Sequence, residues 1–132
     1  MVLKFLKSRE KYVKKLIKIG DNELNASISD NFIKRMVGLM YTESINTNEC
    51  MLFIFTTESK YGIWMYKMNF PIDIIWLDKD KSIIDIKENI PACKSMFNCP
   101  VYYPKYKSKY IIELSAGYIK NYKIDKNTKI EF

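Results

Sequence analysis

Histidine is missing from all 132 residues. Its absence removes Ser–His and Cys–His nucleophilic catalysis and the His-based ligand sets of most metalloenzymes. Cysteine is scarce: Cys50, Cys93 and Cys99 make three. An odd count does not read as a secreted disulfide framework, and three thiols fall short of a four-ligand zinc site. We expect no metal site, and the sequence identifies no cofactor. Four glycines and four prolines argue against low-complexity or disordered segments. No apolar run approaches the ~20 residues that span a bilayer. The N-terminal stretch MVLKFLKSREKYVKK lacks the apolar centre of a secretory signal. The expectation is a cytoplasmic protein with no membrane span.

What is present suits a single globular domain. Hydrophobic residues make up 48% and charged residues 28%, enough for a core at this length. The net charge of +7 is unevenly placed: residues 1–19 carry +6 and the rest +1. We therefore divide the chain into a basic N-terminal arm, 1–12, and one domain, 13–132. Such an arm suits either solubility or contact with nucleic acid or an acidic surface.

Along the chain, VKKLIKIG and ELNASIS around Asp21-Asn22 read as a hairpin. Ser29 or Asp30 is placed to cap a short helix with apolar positions Phe32, Ile33, Met36, Val37 and Met40, ending near Gly38. MLFIF and GIWMYKM have strand length and strand composition. IDIIWLD and SIIDIKEN around a charged turn make the clearest hairpin. A loop follows from Pro91 to Lys109. YIIELS then reads as a strand, AGYIKNY as one helical turn and TKIEF as a last strand. About seven to eight short strands with one or two short helices predict a mostly-β fold, α+β at the margin, closed as a compact barrel or sandwich.

Arg35 with GLM at Gly38–Met40, then MLFIF, Trp64–Met65, FPIDIIWLD and ELSAG at Glu113–Gly117 together resemble the DUF192 (UPF0127) family. Order and spacing match over about residues 15–132. The resemblance implies a compact mostly-β domain and no established activity. Cys50 stands where members often have glycine.

Asp73 is the most conspicuous charge, set among Ile72, Ile74, Ile75 and Trp76. A buried carboxylate needs donors or a cation. Only Arg9 and Arg35 among the 22 basic residues are arginine, and a guanidinium fits a carboxylate in a way lysine cannot. We expect Asp73 to meet Arg35 or the backbone of the GLM turn. Two readings stay open. The pair ties helix to hairpin, or it lines a pocket in which Arg35 holds an anion and Asp73 acts as base or orienting group. The candidate ligand-binding set is Arg35, Trp64, Asp73, Tyr102, Tyr103 and Glu113, and the candidate ligand a small anionic or polar molecule. Weak nucleic-acid binding through the arm and VYYPKYKSKY is the alternative, since tyrosines alternate with lysines there. A hydrolase built on Glu43, Asp73, Glu88 or Glu113 is a third reading, and no catalytic residue is assigned. Trp64, Trp76 and the methionines at 36, 40, 51, 65 and 68 are expected in the core. Cys93 and Cys99, five residues between them, can form a disulfide, but two reduced thiols are the simpler expectation.

Overall fold

The structure, a computed structural model, describes residues 12–132. Most of the expected basic arm therefore lies outside the described residues. The fold is mostly β, as the many short strand-like runs predict: nine strands and two short helices among the described residues.

Strands β1 (Lys14–Ile19) and β2 (Asn22–Ser29) form the first hairpin. Strand β3 (Glu49–Ser59) then runs parallel to β2. A parallel neighbour needs a crossover, and residues 30–48 supply it, carrying helix α1 (Phe32–Val37) across one face of the sheet. The α1 cap is Asn31, not Ser29 or Asp30; its side chain accepts from the Lys34 N–H at 2.9 Å. GIWMYKM yields only the two-residue strand β4 (Ile63–Trp64), because its partner β7 (Val101–Tyr102) is equally short. Strands β5 (Ile72–Leu77) and β6 (Ile83–Ile90) make the expected hairpin. Strand β8 (Ser108–Ser115), helix α2 (Tyr118–Asn121) and strand β9 (Ile130–Glu131) complete the chain.

Seven strands form one sheet in the order β6-β5-β8-β3-β2-β1-β9. One buried cluster takes residues from all seven: Ile17, Leu24, Leu52, Ile75, Ile83, Leu114 and Ile130 are among them. Both edge strands reach a shared cluster only if the sheet curls around it. The Lys81 ammonium, in the β5–β6 turn, hydrogen-bonds the carbonyl of Phe132 beyond β9, tying the two edges together. The result is a half-barrel, with Tyr118 and Ile119 of α2 packed into it.

Alternate residues of β3, β5, β6 and β8 point the other way. Met51, Phe53, Ile72, Ile74, Trp76, Ile90 and Ile111 form a second cluster with Leu39, Ile63, Met65 and Met68. Tyr12 is buried in that cluster too. The described residues thus form two cores, one on each face of the central strands, and the second is roofed by the α1 crossover and the β4–β7 pair.

Three expectations fail at this level. Cys93 and Cys99 are joined as a disulfide, because the loop between them folds back on itself. The apolar stripe of α1 does not face the core: Phe32 is 72% and Met36 57% exposed, while Val37 and Leu39 are buried. Trp64, expected inside, is 39% exposed, whereas Trp76 is fully buried.

Candidate functional site: a groove around Arg35

Residue parity decides where the charges go. On β8, Ile112 and Leu114 face the first cluster and Ile111 the second, so Glu113 points with Ile111. Its register partners are Met51 on one side and Ile74 on the other. A carboxylate thus sits mid-sheet on an apolar face, 4% exposed. Asp73 has the opposite parity. It points with Ile75 and Leu77 into the half-barrel and is fully buried.

The expected meeting of Asp73 with Arg35 or the GLM turn therefore does not occur. Asp73 accepts two backbone N–H bonds, from Asn89 at 2.8 Å and Ile119 at 2.9 Å. The first donor comes from a bulge. Ile72 pairs with Ile90 but Ile74 with Lys87, so two β6 residues, Glu88 and Asn89, oppose Asp73 alone. Asn89 takes φ +52 there, a conformation asparagine tolerates better than most residues. The second donor lies in the first turn of α2. Asp73 is the clamp that holds bulge and helix to the sheet. The sheet also stands between Asp73 and Glu113, which removes a catalytic pair of these two.

Arg35 lies on the second face. It is half-buried; Nη1 donates to the Ile54 carbonyl at 3.0 Å, and its guanidinium carbon sits 5.1 Å from the Phe55 ring centroid. Phe55 in turn stacks on Tyr61, with centroids 3.6 Å apart. Two hydrogen bonds fix Tyr61: Trp76 Nε1 donates to its carbonyl at 3.0 Å, and its own hydroxyl donates to the Thr57 carbonyl at 2.7 Å.

Arg35 borders two adjoining cavities. One, about 210 Å³, is lined by Arg35, Gly38, Phe53, Trp64, Met68 and Glu113. The other, about 350 Å³, is lined by Phe32, Arg35, Met36, Phe53, Phe55 and Tyr61. The first brings a guanidinium and a carboxylate to one chamber; the second is largely aromatic and aliphatic. Gly38 shapes the polar chamber. It has φ +51, and a Cβ there would lie 3.1 Å from Phe53 Cζ and 3.9 Å from Glu113 Oε2, so a side chain would be strained and would crowd the space before the carboxylate.

Of the expected site residues, Arg35, Trp64 and Glu113 come together here. Tyr102 pairs with Ile63 and packs inward on the second cluster. Tyr103, 59% exposed, lies across Gly62 on the outer face of β4–β7. The sequence reading missed Phe32, Met36 and Gly62, which also borders both chambers. The lone glycine before a strand was a legible signal for close approach; the helix stripe was not, since exposed and buried stripes look alike. On the opposite face, the Tyr118 hydroxyl is pushed up to about 12, by burial first and then by Tyr122 and Cys50 nearby. No group of three or more metal-ligating side chains is found among the described residues, and no helix among them is long and apolar enough to cross a membrane.

A sheet curled on one cluster, with a charged groove on its other face, defines a small half-barrel β protein. Within that class the chain belongs to the DUF192 family, described as Uncharacterized ACR, COG1430, which it matches over residues 15–132. A UPF0127 protein of Pyrococcus abyssi is 32% identical over 83% of this chain and 87% of its own length. One from Thermococcus gammatolerans is 29% identical, over 82% of this chain but 66% of its own. The fold is shared by a crystal structure from Sinorhizobium meliloti, with TM-score 0.83 at 23% identity, covering 91% of this chain and 94% of that one.

Proposed function

We propose that the chain is a small-molecule-binding module whose ligand is amphipathic. Its anionic or polar head lies against Arg35 and Glu113, and its apolar body lies along Phe32, Met36, Phe55 and Tyr61. The observation that carries this reading is the position of Arg35, a guanidinium bordering both a polar and an aromatic chamber. A guanidinium supplies directed donors for a carboxylate or similar group, and Glu113 supplies an acceptor for a neighbouring hydroxyl or ammonium. At about 210 and 350 Å³, one chamber lies below and the other at the low end of the roughly 300–1,000 Å³ of common ligand sites, which favours a compact ligand.

The test is titration of isotope-labelled protein with a panel of aromatic and branched aliphatic carboxylates, followed by amide resonances. Binding should move Gly38, Phe55 and Gly62 together and change the fluorescence of exposed Trp64. Arg35→Gln should weaken the best ligand at least about tenfold, a loss of about 1.4 kcal/mol. Equal affinity in wild type and Arg35→Gln, or no panel member shifting these amides, would overturn the reading.

A further inference from the structure

Next to the Arg35 groove, with Met68 bordering both, three loops meet. Tyr41 follows α1, Tyr66 to Asn69 follow β4, and Cys93 and Lys94 open the disulfide loop. Backbone bonds knit them: Lys67 N–H to the Cys93 carbonyl at 3.1 Å, Cys93 N–H to the Met65 carbonyl at 3.2 Å, and Tyr41 N–H to the Lys67 carbonyl at 3.4 Å. Asn69 Nδ2 adds a bond to the Thr42 carbonyl at 2.9 Å.

The junction forms an open, shallow cleft of about 420 Å³ lined by Tyr41, Tyr66, Lys67, Met68, Asn69 and Lys94. Two features set it apart from an ordinary surface dip. Tyr41 and Lys67 both take left-handed backbone conformations, φ +62 and +61. Neither is glycine or asparagine, so each costs free energy, and such residues cluster where side chains are held for a purpose. The strain also converges: the Lys67 ammonium lies 5.4 Å from the Tyr41 ring centroid and 5.5 Å from that of Tyr66. In addition, the charge is of one sign. The lining holds two ammonium groups and no carboxylate among the described residues. Lys94 is carried next to Cys93, whose disulfide to Cys99 closes the loop into a short ring.

We propose that this junction is a second binding site, for a phosphate monoester carried on a planar ring. A monoester holds close to two negative charges at neutral pH, matching two lysines, which bind phosphate as point charges. Tyrosine walls suit the face of a base or sugar, and the Asn69 amide oxygen is an acceptor for a ring hydroxyl. The same chemistry occurs in a free nucleoside monophosphate and at the end of a single strand.

Amide-detected titration with adenosine 5′-monophosphate, adenosine and a 5′-phosphorylated oligonucleotide tests it. The monophosphate should saturate, moving Tyr41, Tyr66, Lys67 and Lys94, and adenosine should bind at least tenfold more weakly. Lys67→Gln with Lys94→Gln should reduce affinity at least tenfold. Lys94→Gln alone, at an exposed position outside the strained backbone, should still cost several-fold, so a loosened Lys67 turn cannot mimic the result. An oligonucleotide that moves the same amides at lower concentration identifies the strand end as the source. Adenosine binding as tightly as its monophosphate, lysine variants without effect, or no saturable shift at these residues would overturn the proposal.

Discussion

Asp73 illustrates how one residue can be correctly singled out and wrongly paired. Its burial follows from the apolar run around it, and a buried carboxylate must be compensated. The compensation comes from the N–H groups of Asn89 and Ile119, and no cation is needed for it. Asp73→Asn keeps one carbonyl oxygen but turns an NH2 toward one of those donors. Hydrogen bonds to charged groups contribute about 1.5–3 kcal/mol, so we expect a loss of about 2–3 kcal/mol in urea denaturation. A loss under about 1 kcal/mol would mean the clamp is not structural. Combined with Arg35→Ala, the effects should add within about 0.5 kcal/mol, as for sites that share no partner. Strong coupling in that cycle would restore the pair expected from the sequence.

At the scale of elements, the flank that covers the second cluster is where local pattern and tertiary role diverge. Helix α1 has an apolar stripe at helical spacing, yet Phe32 and Met36 are exposed on the groove while Val37 and Leu39 anchor the crossover. The parallel pairing of β2 with β3 sets the path of the crossover and so the side α1 presents. The β4–β7 pair depends on Gly62. A Cβ there would lie 2.5 Å from Val101 Cγ1 and 2.8 Å from Tyr103 Cε1, too close for either to stay in place. Overpacking of this kind costs about 1–3 kcal/mol. Gly62→Ala should therefore lower the melting temperature, and hydrogen exchange at Ile63 and Tyr102 should quicken as the pair opens. Wild-type exchange at both amides would show that the β4–β7 pair does not depend on the glycine.

For the whole molecule, the defining property is that a seven-stranded sheet curls until its edges share one cluster. Strand β9 is only Ile130 and Glu131, but it covers β1 and brings Ile130 into that cluster, while Phe132 accepts from Lys81 of the far hairpin. Deleting residues 128–132 removes all three contacts and opens the half-barrel at its seam. Loss of one buried isoleucine side chain alone costs about 2–5 kcal/mol, so the truncated chain should lose at least about 3 kcal/mol by denaturant titration. A truncated chain as stable as the full one would show that the seam is ornamental. Strand positions and the central hairpin could be read directly from the chain, because short runs of bulky and β-branched residues bounded by turn residues are local signals, and the family from the order and spacing of its motifs. Glu113 stood out as a charge in an apolar strand, and Arg35 as one of only two arginines in a chain that otherwise uses lysine. Which charges would meet was not local information. Asp73 and Glu113 lie on neighbouring strands and on opposite faces of the sheet, and a change of one residue in register would have exchanged them. The outward stripe of α1 and the Cys93–Cys99 bond were likewise settled by the paths of a crossover and a loop, through contacts between segments far apart in the chain.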